Sequence, residues 1–139
     1  MFRLDTAFGR TSHPIVELQL CAARLQDDVR WPWIVLVPRA EGAREIEDLA
    51  AGDRAHLMQE IVLAGAGVRA VGLASGLTVE KLNVGLLGNV TSQLHAHVVG
   101  RRSGDPAWPG PVWGFGAPEP YPRPALARAL AAAAAALRG

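Results

Sequence analysis

A glutamine and two histidines alternate with apolar residues near the middle of the chain. Residues 93–99 read Gln-Leu-His-Ala-His-Val-Val. Because successive side chains of a strand point to opposite faces, Gln93, His95 and His97 are predicted to share one face, with the apolar residues turned to the core. Same-face neighbours lie about 7 Å apart, so the two imidazoles can address one phosphoryl-sized group or one metal ion.

The metal alternative needs ligands beyond the two histidines. His-x-His on a strand also occurs at zinc sites, which use three or four protein ligands. Asp105 and the distant histidines His13 and His56 are the candidates to complete such a site. We expect solvated or capping roles for the two distant histidines, which makes the metal site the weakest of the alternatives.

A short polar loop precedes the histidines. In residues 88–92 the small or polar Gly88, Asn89 and Thr91 combine a flexible backbone with several hydrogen-bond donors. This composition suits a phosphate cradle, and it also suits an ordinary hairpin turn. The adjoining histidines favour the cradle.

Composition limits the architecture and the class of partner. The chain has 139 residues, half of them apolar, which fits a single domain over residues 1–139. Its net charge of +1 is spread over mixed signs, so we expect no binding of long nucleic acid. Cys21 is the only cysteine, which fits a reducing compartment and a buried strand position. No secretory signal or membrane-spanning stretch is evident, so we expect a cytoplasmic protein without membrane partners.

The elements that would position the site follow from periodicity and from helix and strand breakers. Alternation or continuous β-rich runs predict strands over residues 16–20, 33–37, 81–87 and 94–100. Helical spacing predicts a helix over residues 54–74, capped by Asp53. Two glycines inside it indicate either that the helix packs closely on the sheet or that it ends before residue 74. These glycines are Gly65 and Gly67.

Residues 101–124 hold many prolines and glycines, which predicts an ordered lid rather than a regular element. A final alanine-rich helix is expected over about residues 124–138, opened by Pro124. Arg101 and Arg102, at the end of the last strand, are expected to be solvated. Trp31 and Trp33 could stack a nucleotide base, although a core position is favoured for Trp33.

Residues 93–99 resemble the histidine-triad pattern His-φ-His-φ-His-φ-φ, where φ is apolar, with Gln93 in place of the first histidine. Residues 33–39 resemble the strand of this family that ends in Pro-Lys or Pro-Arg. Residues 108–111 are similar to the Trp-Pro-Pro-Gly close of the phosphoramidase branch. The resemblance covers about residues 16–113, taken as the core, and points to a bacterial subgroup with glutamine at the first position.

The resemblance implies an α+β fold, a five-stranded antiparallel sheet with packed helices, commonly assembled as a homodimer. It also implies a hydrolase or transferase that acts on nucleoside phosphoramidates or dinucleoside polyphosphates. The middle histidine attacks the α-phosphorus to form a covalent nucleotidyl-histidine, and the basic scheme needs no metal or other cofactor.

Carried onto this chain, the resemblance assigns the nucleophile to His95 and gives His97 a positive or donating role beside it. Gln93 cannot shuttle a proton, but its carbonyl can still accept from the far nitrogen of the nucleophile. Asn83 stands where the family keeps an asparagine or glutamine near the substrate phosphate, and Trp108 belongs to the substrate side of the lid.

Two departures from the family pattern keep a second function open. Several branches carry histidine at the position of Trp33, and Gln93 lacks the acid–base capacity of the first histidine. Both differences favour a nucleotide-binding or regulatory module without catalysis as the alternative to the enzyme. A ribose contact by Asp27 or Asp28, near the turn where the family binds sugar, is weighed little above a structural Asx turn.

Overall fold

A sheet of five strands and three α-helices makes up the computed structural model, which describes all 139 residues. The strands are β1 (Ser12–Glu17), β2 (Cys21–Gln26), β3 (Trp33–Pro38), β4 (Lys81–Gly85) and β5 (Ala96–Arg101). The helices are α1 (Thr6–Thr11), α2 (Ala51–Ala74) and α3 (Arg123–Arg138), with one 3-10 turn at Ile46–Asp48. The strand order is β1-β2-β3-β5-β4 and every neighbouring pair is antiparallel, which confirms the predicted α+β fold.

The prediction of the first strand, over residues 16–20, was wrong. β1 ends at Glu17, and β2 begins at Cys21 after a tight turn. The turn is fixed from outside, because the buried Glu60 carboxylate of α2 accepts hydrogen bonds of 2.9 Å from the N–H groups of Leu20 and Cys21. An alternating local pattern carries no sign of such a long-range contact.

Helix α2 runs without interruption past its two internal glycines. A Cβ atom on Gly65 would lie 2.8 Å from Leu82 Cδ1, and one on Gly67 would lie 2.9 Å from Ile34 Cδ1. Close packing on the sheet is therefore the correct one of the two predicted explanations. The predicted Asp53 cap lies inside the first turn instead, since the helix begins at Ala51.

Length and composition alone would allow α2 to cross a membrane. Half of its most apolar window is buried within the domain, as is usual for a central helix packed on a sheet.

The two faces of the sheet are covered differently. Helices α2 and α3 pack on one face, where Ile34, Leu36, Ala96 and Val98 join the larger apolar core. The opposite face carries Trp33, Val35, Val37 and Val99, and it is covered by Phe8 of α1 and Val112 of the segment between β5 and α3. That segment contains only turns and bends, as predicted for the lid.

The alanine-rich helix α3 packs within its own chain. Ala129, Ala133 and Leu137 are buried in the core, and the helix contacts α2 and β1. Its small side chains permit this close approach between helices. Its observed start at Arg123 lies one residue before the predicted start.

Candidate active site

His95 immediately precedes the interior strand β5, which pairs with β3 on one side and β4 on the other. The side chain is 7% exposed, and its Nδ1 lies 2.6 Å from the carbonyl oxygen of Gln93. A carbonyl oxygen only accepts hydrogen bonds, so Nδ1 carries the proton and Nε2 carries the lone pair. The backbone therefore prepares Nε2 as the nucleophilic nitrogen.

His97 is held between β3 and β4, opposite Val35 and Gly85. Its Nδ1 accepts a 3.0 Å hydrogen bond from the indole N–H of Trp33, and its ring centroid lies 4.8 Å from that of His95. Burial, followed by electrostatic coupling to the adjacent His95 ring, lowers the pKa of His97 to about 3. His97 is therefore neutral near pH 7. Of the two roles expected for it, a positive ring or a hydrogen-bond donor, the neutral ring is compatible with the donor.

Gln93 divides its groups between two tasks. Its carbonyl contacts His95, whereas its side-chain amide accepts from Asp5 N–H and donates to the carbonyl of Arg3, each at 2.8 Å. The amide thus binds the N-terminal segment and does not line the cavity beside the histidines. The predicted strand alternation does not apply at Gln93 because regular pairing of β5 begins only at Ala96.

A cavity of about 370 Å³ opens beside the two histidines, a size within the range of small-molecule sites. The predicted loop residues Gly88, Asn89 and Thr91 line it together with both histidines. No N–H group of residues 88–92 donates to a protein acceptor. These amides are therefore free to bind an anion next to His95. The other lining residues are Phe8, Thr11, Gln26, Val35, Leu87, Val90 and Trp113.

The structure does not bring Asn83 or Trp108 into this cavity. Asn83 Oδ1 accepts a 2.8 Å hydrogen bond from Arg101, whose guanidinium also binds Asp105 at 2.8 and 3.0 Å and lies 5.5 Å from the ring centroid of Trp108. Arg101 is 1% exposed, so the expectation of a solvated side chain was wrong. Buried pairing with Asp105 explains the difference.

Asp105, the candidate third ligand of the metal alternative, is already paired within the same network. Asp105 faces Arg101, which holds the pKa of that carboxyl well below its ordinary value. No group of three or more His, Cys, Asp or Glu side chains is arranged to hold a metal ion.

Phe8 and Trp113 were not predicted as site residues. The Phe8 ring meets His95 edge to face at 5.0 Å, and α1, which carries it, is too short for a periodic pattern. Its one sequence signal is the Asp5 cap, which accepts from Ala7 N–H. Trp113 lies 5.7 Å from His97, and its buried indole N–H has no partner in the protein.

The remaining aromatic and acidic candidates have structural contacts. Trp31 is fully buried, which excludes the base-stacking role considered for it. Asp28 pairs with Arg30 at 2.8 Å, and Asp27 accepts from the backbone N–H of Tyr121. These contacts fix the segment that leads into α3.

Comparisons with known proteins agree with this geometry. A family model described as the HIT domain matches residues 9–104. A histidine triad protein from Sinorhizobium meliloti 1021 is 45% identical, with a TM-score of 0.87 over 96% of this chain and 95% of that one. One from Marinobacter aquaeolei VT8 is 38% identical, with a TM-score of 0.87 over 99% and 97%. One from Bradyrhizobium japonicum is 34% identical, with a TM-score of 0.88 over 98% of each chain.

No curated protein matches the chain. The family model covers more than half of the sequence, and the three solved structures share both its fold and over 30% of its residues. The chain therefore belongs to the histidine-triad (HIT) family.

Proposed function

We propose that this protein is a nucleotide hydrolase or nucleotidyl transferase that acts on nucleoside phosphoramidates or dinucleoside polyphosphates. One observation carries the proposal: the Gln93 carbonyl holds Nδ1–H of His95 at 2.6 Å, which leaves the Nε2 lone pair for the cavity. A neutral imidazole oriented in this way is a good nucleophile near pH 7.

In the first step Nε2 of His95 attacks the α-phosphorus, a phosphorus–nitrogen bond forms, and the bond to the leaving group breaks with its electron pair. An amine leaving group takes up a proton from solvent, whereas a phosphate departs as its anion. The ring becomes positive, and the contact from Nδ1–H to the Gln93 carbonyl stabilises that charge. In the second step water or another acceptor attacks phosphorus and loses its proton to solvent, and the electron pair of the phosphorus–nitrogen bond returns to Nε2. The product is a nucleoside monophosphate or its transferred form.

Two sets of donors face the phosphoryl oxygens in this proposal. His97 offers Nε2–H, because its Nδ1 already accepts from Trp33. Residues 88–91 line the same cavity, and their N–H groups have no acceptor in the protein. Gly88 has a positive φ of 67°, a conformation that glycine adopts without strain. Donors fixed before reaction stabilise charge that develops at phosphorus.

Turnover by wild-type protein and by two histidine variants tests the proposal. Adenosine phosphoramidate and diadenosine polyphosphates are the substrates, and release of adenosine monophosphate is measured. His95→Ala is expected to lose at least about 100-fold in kcat, since it removes the nucleophile. His56→Ala, a change on α2 outside the cavity, is the matched control and should retain activity. Absence of turnover with every substrate, or full turnover by His95→Ala, would exclude the enzyme.

A nucleotide-binding module without turnover is the second candidate. One observation favours it: neither residue that flanks His95 in the triad pattern can transfer a proton to a leaving group. The Gln93 amide binds Arg3 and Asp5, and His97 is a neutral ring. This candidate predicts binding of adenosine monophosphate by calorimetry without turnover. A covalent adduct on His95 would exclude it.

A homodimer is proposed on the family resemblance, and a cytoplasmic location on the single cysteine, Cys21, which fits a reducing compartment. Light scattering over a range of protein concentrations tests the first, with a mass near twice 14.7 kDa expected. A mass of one chain at all concentrations would contradict it.

A further inference from the structure

Trp33 forms one hydrogen bond with the candidate active site, through its indole nitrogen. Its indole Nε1 lies 3.0 Å from Nδ1 of His97, across the β3–β5 pair. An indole nitrogen is a donor only, so Nδ1 of His97 must accept and the ring proton must lie on Nε2. A buried tryptophan that served only as core would leave this choice between tautomers undetermined.

The surroundings of His97 support the same arrangement. The rings of Trp33, Trp113 and His95 lie 5.6, 5.7 and 4.8 Å from it, at interplanar angles of 66°, 69° and 74°. Its register partners are Val35 and Gly85. His95 is thus the only titratable group among the residues that face His97 from β3, β4, β5 and the lid, and no carboxylate is present to stabilise a charged ring.

We propose that Trp33 is a positioning residue that locks His97 as the neutral Nε2–H tautomer, so that His97 presents a fixed hydrogen-bond donor beside His95. Donation to phosphoryl oxygens rests on the proposed function, whereas the tautomer lock does not. Proton uptake at Nδ1 would require the Trp33 bond to break, and burial opposes the charge that would result. His97 therefore does not act as a general acid at neutral pH.

Nitrogen-15 NMR of the histidine side chains tests the lock without any substrate. In the wild-type protein the His97 signals should report Nε2–H at pH 7 and remain neutral well below the ordinary pKa of 6.5. In Trp33→Phe, which keeps an aromatic ring but removes the N–H, the Nδ1–H tautomer should appear and the His97 pKa should rise by about one unit, the size of one hydrogen bond.

Trp113→Phe is the matched control. It makes the same change in a ring that contacts His97 but forms no hydrogen bond with it, so the tautomer should stay Nε2–H. A wild-type spectrum with Nδ1–H or imidazolium at pH 7 would overturn the proposal without any variant. An unchanged tautomer and titration in Trp33→Phe would also overturn it.

Turnover separates this inference from the proposed function. If His97 donates to phosphorus-bound oxygens, His97→Ala should lose about 100-fold in kcat, the usual effect of removing such a donor, and Trp33→Phe should lose less. If the wild-type protein shows the Nε2–H tautomer of His97 by NMR but no turnover, the tautomer assignment is supported and the proposed enzymatic function is excluded.

Discussion

The first position of the triad shows how one residue can lose a side-chain role and keep a backbone role. Gln93 offers its carbonyl to His95 as any residue would, and the amide is used elsewhere. An amide suits that second task because it accepts from one backbone group and donates to another at the same time. The substitution therefore need not remove the nucleophile's support.

A pair of Gln93 variants tests this division. Gln93→Ala removes both bonds to Arg3 and Asp5 and keeps the carbonyl. Because both bonds are exposed and water can replace them, we expect a loss of about 0.5–1.5 kcal/mol in unfolding free energy with His95 chemistry retained. Gln93→Glu keeps an acceptor for Asp5 N–H but sets a carboxylate against the Arg3 carbonyl, so it should destabilise the N-terminal segment further.

Urea unfolding and hydrogen exchange of the Asp5 amide measure these effects. Protection of that amide should fall in Gln93→Ala. Unchanged protection would contradict the assignment of the amide to the N-terminal segment.

Spacing alone predicted that the two histidines lie together, but it did not show which nitrogen of each ring carries the proton. His95 and His97 could be placed together from their alternation with apolar residues, and the structure places both on the cavity. Their proton positions depend on a backbone carbonyl and on Trp33, which lies 64 residues away along the chain. Contacts of that kind leave no periodic signal in the sequence.

At the scale of elements, the buried Glu60 carboxylate joins α2 to the β1–β2 turn. Each of its oxygens accepts a backbone N–H, from Leu20 and Cys21. Burial of the site, followed by a hydrogen bond to the Glu60 carboxylate and by its charge, raises the pKa of the Cys21 thiol, which keeps that cysteine protonated and unreactive. The sequence showed a glutamate on a helix and gave no sign of this burial.

Removal of this carboxylate should destabilise the fold. Glu60→Gln keeps one acceptor oxygen and turns an N–H₂ toward the second backbone N–H, so we expect a loss of about 1–3 kcal/mol in unfolding free energy. Glu60→Ala leaves both N–H groups without a partner and should lose more.

Glu47→Ala, at an exposed position of the 3-10 turn, is the control and should change stability by less than about 0.5 kcal/mol. Urea melts at pH 7 measure all three. Equal stability of Glu60→Ala and the control would show that the turn does not depend on α2.

Helices and strands could be predicted where neighbouring residues in the sequence determine them. The β-rich run that ends in Pro38 gave β3, and the long apolar periodicity gave α2. The six-residue α1 was missed because it is too short for a periodic pattern. The division between β1 and β2 was missed because it depends on the distant Glu60. The cover that α1 places over His95 was missed with it.

At the scale of the whole molecule, the buried neutral His97 links stability to pH. The unfolded chain binds a proton at this residue below about pH 6.5, whereas the folded chain does so only near its pKa of about 3. Between these values the unfolded state holds more protons, so stability falls as pH falls, by at most about 1.4 kcal/mol per pH unit. Above pH 6.5 the effect is absent.

Comparison with His97→Gln isolates this contribution, since glutamine can still accept from Trp33 but does not titrate. The difference in unfolding free energy, wild type minus variant, should decrease as pH is lowered from 6.5 toward 4 and stay constant above 6.5. Urea melts at several pH values measure it. A difference that does not vary with pH would contradict the buried neutral state.

The central claim is that Nε2 of His95 attacks phosphorus, and trapping of the intermediate tests it most directly. Wild-type protein mixed with adenosine phosphoramidate is quenched in alkali, which preserves phosphorus–nitrogen bonds, and the peptides are analysed by tandem mass spectrometry. We predict an adenylyl group on His95 in the wild type and none in His95→Ala. Turnover that leaves no adduct on His95, or an adduct on His97 instead, would contradict the account.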